Sequence, residues 1–313
     1  MQIRRWTRMD CQIPAKSAPN PLVFGTIIRG ALAAGSWAAD HRGQSLPRTS
    51  GPPGLRALGA PDRLRRMPAG TAAYFLSDAH LGAEPHEHEA PRERVLHEFL
   101  TSLPGKAAQL FIVGDLFDFW FEYAHAIPRR HFATLAVLRE LRQAGIEITY
   151  LNGNHDFWLG PFLSRELGIV THQDALDVSL QGRRIWLHHG DGLMGGDLGY
   201  KLLKRVLRNP VSIGLYRWLH PDLGFPLANR VSLASRHSRD ARRLDGDRLW
   251  REIALPRFAA GYDAVMVGHL HHAFERREGR NVFFVLGDWI DQFTYVVLEN
   301  GELSMRKWSG ETS

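Results

Sequence analysis

Five short polar clusters follow directly on apolar runs of strand length. They are Asp78-Ala79-His80 after Tyr74–Ser77, Gly114-Asp115-Leu116-Phe117-Asp118 after Leu110–Val113, and Gly153-Asn154-His155-Asp156 after Ile148–Leu151. His188-His189-Gly190-Asp191 follows Arg184–Leu187, and Gly268-His269-Leu270-His271-His272 follows Ala264–Val267. In an α/β fold, residues just beyond the carboxyl ends of the strands converge on one site. Carboxylate, carboxamide and imidazole groups at five such ends match the donors of a dinuclear divalent-metal centre. Oxygen and nitrogen donors suit manganese, iron(II) or zinc, and the single cysteine, Cys11, supplies no thiolate set to select a softer ion. Two ions about 3.5–4 Å apart that share one carboxylate can activate water for in-line attack on a phosphodiester or pyrophosphate. Glycines before Asp115, Asn154 and His269 fit tight strand-to-loop turns.

The elements that would position these residues begin at Ala72. Strand-like runs cover Ala72–Ser77, Gln109–Val113, Ile146–Leu151, Arg184–Leu187, Ala264–Val267 and Val282–Leu286, and a hairpin over Asn300-Gly301 joins Thr294–Glu299 to Leu303–Lys307. Helical spacing covers Pro91–Leu103 and His131–Ala144. Strands alternating with helices predict an α/β domain spanning residues 71–313. Two further helical stretches, Leu198–Leu219 (broken near Asn209-Pro210) and Ala228–Trp250, interrupt that rhythm as an insertion at about 198–251.

Charge divides unevenly along the chain. The net +6 rests on residues 1–70, with eleven Arg and Lys against three Asp, and on the insertion, with twelve against four. The rest of the body is acidic, so a nucleic-acid grip is not expected. The first 70 residues lack periodicity and read as a disordered extension, or as a start placed too early with Met67 as the true one. A disulfide framework is excluded by Cys11 standing alone, and no uncharged apolar run is long enough to span a membrane.

Taken singly, Asp78, Asp115 and Asn154 could be caps or turn formers; taken with four matching histidines they read as ligands. In order and spacing, Asp78-x-His80, Gly114-Asp115-x-x-Asp118, Gly153-Asn154-His155-Asp156, His189-Gly190-Asp191 and Gly268-His269-x-His271 resemble the calcineurin-like metallophosphoesterase superfamily. That resemblance implies a four-layer αββα sandwich. It also implies one ion on Asp78, His80 and His271, a second on Asn154, His189 and His269, and Asp115 bridging them. His155 would bind no ion but face the phosphate, oriented by Asp118. His188 and His272 would be bystanders; His86, His88 and His97 would be solvated; Phe119, Trp120 and Phe121 would form core or pocket wall.

The flanks narrow the resemblance. Gly114 to Trp120, His189-Gly190-Asp191-Gly192-Leu193, Asp197-x-Gly199-Tyr200 and Leu286-Gly287-Asp288-Trp289 are similar to UDP-2,3-diacylglucosamine hydrolases of lipid A synthesis. The best-known members carry Arg at the position of His155, and Thr-His-Arg-Pro at that of Leu270-His271-His272-Ala273. The family likeness implies a metal-dependent pyrophosphatase, with manganese the first choice of ion and the basic insertion a helical lid. Asp197, Tyr200, Arg236, Arg239, Arg242 and Arg243 become candidate substrate contacts. The enzyme would be cytoplasmic and peripheral to the inner membrane, meeting a nucleotide-linked glycolipid at an anionic surface without an obligate protein partner. Competing readings are a phosphodiesterase or nucleotidase for a soluble substrate, and a noncatalytic scaffold of the same fold.

Overall fold

The computed structural model describes residues 71–194, 205–225, 228 and 245–310. The N-terminal 70 residues and the candidate contacts Asp197, Tyr200, Arg236, Arg239, Arg242 and Arg243 lie outside them. Strands β1 (Ala72–Leu76), β2 (Ala107–Val113), β3 (Glu147–Leu151) and β4 (Val170–His172) form one sheet with β10 (Thr294–Glu299) and β11 (Glu302–Lys307), in the order β11-β10-β1-β2-β3-β4. The second sheet runs β5-β6-β7-β9-β8, from β5 (Leu176–Leu180), β6 (Arg183–His188), β7 (Ala264–Val267), β8 (Ala273–Glu278) and β9 (Asn281–Leu286).

The central strands are buried on both faces, which is why they read as continuous apolar runs. Within β1, Tyr74 and Leu76 pack outward with Leu96, Phe99 and Leu138 of helices α1 (His86–Thr101) and α2 (Phe132–Gln143). Ala73 and Phe75 point the other way, into the layer shared with Ile185, Leu187, Met266 and Phe284 of the second sheet. The outer face of that sheet, including Val265 and Phe283, is covered by Leu249, Trp250, Ile253 and Ala254. These last belong to one helical run: α5 (Gly246–Leu249), a π-helical turn at Trp250–Ala254, and α6 (Leu255–Ala259). The layers are helix, sheet, sheet, helix, the expected sandwich.

Three strands escaped the sequence reading. β4 is only three residues long, β5 is mostly half-exposed, and β8, Ala-Phe-Glu-Arg-Arg-Glu, is a charged edge strand. Helix α1 also begins at His86, five residues before Pro91. The buried Glu89 explains the early start: it accepts from Gly82 N (2.7 Å) and pairs with Arg92 and Arg130. His86 and His88 are therefore exposed on a helix rather than in a loop.

His131 lies buried beside Phe117 and Trp120 at the start of α2. Burial, with the Arg130 charge adding, holds its imidazole down to about 3. Only the unfolded chain then takes up this proton as pH falls from about 6.5 toward 3, so stability is lost across that window. His131→Gln should remove this group's share of the loss between pH 7 and pH 5, about 2 kcal/mol. Urea melts at the two pH values read it, and an unchanged pH dependence would contradict it.

Candidate metal centre

The parallel registers bring the strand ends level: Leu76 lies opposite Ile112, Val113 opposite Leu151, His188 opposite Val267 and Val267 opposite Val285. The five clusters therefore leave one edge of the sandwich together. The first two continue as a ladder beyond the strands, with Asp78 N to Gly114 O at 3.2 Å and His80 N to Asp115 O at 3.0 Å. Five of the seven candidate ligands then adopt left-handed backbone: Asp78 (φ 59°), His80 (46°), Asp115 (52°), His269 (72°) and His271 (49°). Such conformations are uncommon outside glycine and are tolerated where the surroundings over-determine them, often at functional sites.

The glycines account for the close approach. A Cβ at Gly153 would lie 2.0 Å from Asp115 Oδ1, and one at Gly114 would lie 2.3 Å from His189 Nδ1. At Gly268 it would lie 2.0 Å from Ser77 Oγ and 2.6 Å from Asp78 Oδ2.

Each buried carboxylate is split between support and centre. Asp78 Oδ2 accepts from His269 N (2.8 Å) and from the Ser77 hydroxyl, while Oδ1 faces His80 Nε2 (3.7 Å) and His271 Nε2 (3.5 Å). Asp115 Oδ1 accepts from His155 N (2.8 Å), while Oδ2 faces His189 Nε2 (3.1 Å) and His80 Nε2 (3.6 Å). Neither inward oxygen has a hydrogen-bond partner. The imidazoles are set the same way. His189 Nδ1 lies 2.9 Å from Val113 O and His80 Nδ1 3.2 Å from Asp118 Oδ1, which turns both Nε2 atoms inward. His80 Nε2 and His271 Nε2 meet at 3.0 Å, and His189 Nε2 lies 3.1 Å from Asn154 Oδ1.

Electrostatics agree with that geometry. Burial raises the Asp78 carboxyl, but the neighbouring His80 imidazole and the His189 and His271 charges outweigh it and hold it at about 2. Asp115 is also buried, yet His189, His155 and His80 keep it well below the carboxylate range. Burial alone would lower both His80 and His189. The Asp118 hydrogen bond and the adjacent Asp78 carboxylate lift His80 to about 9, and the adjacent Asp115 carboxylate lifts His189 to about 10. A centre of ionised carboxylates with unpartnered inward oxygens draws positive charge, so its donor set fits divalent cations. The ligand atoms gather in overlapping trios: Asp78, His80 and His271; His80, Asp115 and His155; and Asp115, His189 and His269.

The structure thus brings all seven candidate ligands together with His155. Asp118, expected to serve His155 alone, stands 3.2 Å from both His155 Nδ1 and His80 Nδ1. Asp156 is fully buried and accepts from Asp115 N, Phe117 N, Gly153 N and the Tyr150 hydroxyl, binding the second cluster to the third. Burial and the Asp115 charge push its carboxyl up to about 6. His188 stacks on Trp186, and its Nδ1 accepts from Gly190 N (2.7 Å); His272 is exposed. His97, expected on the surface, is half-buried, with Nε2 2.9 Å from Thr134 Oγ1.

An aromatic wall adjoins His155. Phe157 and Trp158 follow it in the chain, and with Phe121, Tyr123, Ile127 and Phe162, the first residue of helix α3 (Phe162–Glu166), they line an open cavity of about 610 Å³. The insertion is attached here. Trp158 Nε1 donates to Leu207 O (3.0 Å), and Tyr216, on helix α4 (Pro210–Arg217), packs on Phe121 and Trp158. Sequence reasoning missed Glu122, whose carboxylate accepts from Trp120 Nε1, Gly160 N and Phe162 N and fastens this wall. No pattern marks a lone glutamate whose partners lie across two loops.

No family model matches the chain. Among curated proteins, a UDP-2,3-diacylglucosamine hydrolase of Porphyromonas gingivalis is 34% identical over 253 residues, covering 74% of this chain and 95% of the relative. The chain belongs to the UDP-2,3-diacylglucosamine hydrolase family. Relatives of the same description from Azotobacter vinelandii (34% over 233 residues; 69% of this chain, 89% of the relative) and Aeromonas salmonicida (31% over 242 residues; 73% and 90%) agree. As a member of the UDP-2,3-diacylglucosamine hydrolase family the chain is a hydrolase, and its His/Asp cluster has the donor set of a divalent-metal site.

Proposed function

We propose that this enzyme hydrolyses the pyrophosphate bond of UDP-2,3-diacylglucosamine to UMP and 2,3-diacylglucosamine 1-phosphate. The observation that carries this reading is the convergence of seven donor side chains around two buried carboxylate oxygens, of Asp78 and Asp115, that have no hydrogen-bond partner, in a chain with relatives of that name. Asp78, His80 and His271 would hold one ion, Asn154, His189 and His269 the other, and Asp115, between His80 and His189, would serve both. Manganese is the first choice, with iron(II) and zinc as alternatives of the same donor chemistry. When bound, the ions supply an activated water and neutralise charge on the phosphoryl oxygens. His155 presents its Nε2 side to the phosphate and donates a hydrogen bond or proton toward the leaving oxygen. Asp118 fixes that ring through Nδ1 and steadies His80 with the same oxygen.

The lipid half of the substrate is supported by apolar surface that a soluble nucleotide would not use. The cavity lined by Phe121, Phe157, Trp158 and Phe162 offers room for acyl chain. In the insertion, Val211, Leu215 and Trp218 are 69%, 70% and 91% exposed at positions that share one helical face, and Arg205 and Arg217 of the same segment are also exposed. An exposed apolar face in a segment with exposed basic groups suits an anionic membrane surface. No helix among the described residues is long and apolar enough to cross a membrane, and a peripheral place on the cytoplasmic face of the inner membrane accords with this face. Earlier in the insertion, Val206 is 52% exposed and Leu207 half-buried, while Leu202 and Leu203 lie outside the described residues. Asp197, Tyr200, Arg236, Arg239, Arg242 and Arg243 are proposed as substrate contacts from sequence.

Metal-loaded enzyme given UDP-2,3-diacylglucosamine should yield UMP and the acylated sugar 1-phosphate by mass spectrometry. Leu215→Asp with Trp218→Asp should weaken binding to anionic vesicles and raise KM for that lipid about tenfold, since burying either side chain contributes about 1.5–3 kcal/mol. Turnover of bis(p-nitrophenyl) phosphate, which has no acyl chain, should stay unchanged. Equal loss on both substrates with a lowered Tm would assign this face to packing instead.

A further inference from the structure

The loop after β9 grips one half of the metal centre and leaves the other alone. Asp288 is buried, and its Oδ1 accepts from three successive backbone groups, Ile290 N (3.0 Å), Asp291 N (2.9 Å) and Gln292 N (3.0 Å). Its Oδ2 accepts from Gln292 Nε2 (2.8 Å), which aims that side chain at the fifth cluster. Gln292 then straddles His272: Nε2 donates to His271 O (2.6 Å), and Oε1 accepts from Ala273 N (2.7 Å). One residue after Asp288, Trp289 N donates to Asp78 O (3.0 Å). Asp78 and His271 both have left-handed backbone, at φ 59° and 49°. Both would return to commoner conformations without outside restraint. His269, Asn154 and His189 are tied elsewhere: His269 N to Asp78 Oδ2, His189 Nδ1 to Val113 O, and Asn154 Oδ1 beside His189 Nε2.

We propose that Gln292, aimed by Asp288, is a positioning residue that sets the affinity of the Asp78/His80/His271 ion site and not that of its neighbour. It acts through the backbone on either side of His272, starting at the His271 carbonyl, and touches neither ion nor substrate. Groups that orient a metal ligand from behind are worth about 10–100-fold in affinity. Because the amide engages both a carbonyl and an N–H, a side chain of equal length without polar atoms frees both ends of the turn.

This inference rests on the two-ion reading above, and one experiment separates them. Metal-loaded wild type and Gln292→Met are equilibrated with increasing concentrations of a chelating dye, and the ions retained per chain are counted. Wild type should retain two over a range in which Gln292→Met retains one, the lost ion binding about 10–100-fold more weakly. Asp288→Asn, which keeps an acceptor for the three backbone N–H groups but turns an amide toward Gln292, should lose the same ion by a smaller factor. Circular dichroism and Tm should match wild type. A wild type that holds only one ion overturns the two-ion reading itself. Wild type with two, and variants that release neither ion early, release both together or fail to fold, would overturn the positioning role.

Discussion

Asp115→Asn should lose affinity for both ions and turn over more slowly by more than the roughly 10²–10³-fold that one positioned donor contributes. The side chain is fully buried, and its two oxygens do different work. Oδ1 accepts from His155 N at 2.8 Å; Oδ2 stands without a hydrogen bond between His189 Nε2 at 3.1 Å and His80 Nε2 at 3.6 Å. Asparagine cannot satisfy both demands. With its NH2 turned inward it presents a donor where cations belong; with its NH2 turned outward it faces the His155 N–H and breaks the bond that seats the third cluster. The charge matters as much as the shape, because His189, His155 and His80 hold this carboxyl ionised despite its burial. Atomic emission on equilibrated protein, together with kcat, reads the outcome. A variant with two ions per chain and full turnover would remove Asp115 from the centre.

The site was legible in the sequence because its candidate ligands sit at the ends of strands buried on both faces. An apolar run that stops at Asp78, Asp115, Asn154, His189 or His269 announces both the strand and the edge from which its residues emerge. The glycines were legible as turns, but not the reason for them. Only in three dimensions does a Cβ at Gly153 fall on the Asp115 carboxylate. Left-handed backbone at His80 and His271 was not legible either, since histidine does not advertise it as glycine does. What escaped altogether shares one cause. β8 alternates charged residues along a sheet edge and carries no apolar period. Gln292 acts on residues 19 and 21 positions away, brought near by the antiparallel pairing of β8 with β9. Glu122 reaches residues 38 and 40 positions away through a loop contact. Local pattern reports burial and turns; it is silent on a polar side chain whose partners are set by tertiary register.

His155→Ala should keep two ions yet lose about 10²–10³-fold in turnover, the scale of one positioned donor. The geometry offers a rival, because His155, His80 and Asp115 place ligand atoms within 4.8 Å of one another. Two contacts favour the phosphate-facing role. The bond from His155 to Asp115 Oδ1 runs through its backbone N–H, so the Asp115 carboxylate stays seated when the ring is removed. The ring's Nδ1 is taken by Asp118, at 3.2 Å from Oδ1, which leaves a single nitrogen to face the site. Ion counts on His155→Ala separate the two readings, since a ligand would take an ion with it. His155→Arg sharpens the test. A guanidinium donates hydrogen bonds and carries charge, but it has no lone pair with which to coordinate a cation. If His155 serves the phosphate, arginine should recover at least about tenfold of the activity lost in alanine, a small part of what one donor contributes, with both ions in place. Should arginine instead expel an ion and leave the enzyme as slow as alanine does, His155 belongs among the ligands, and the hydrogen bond to the leaving oxygen must come from another residue.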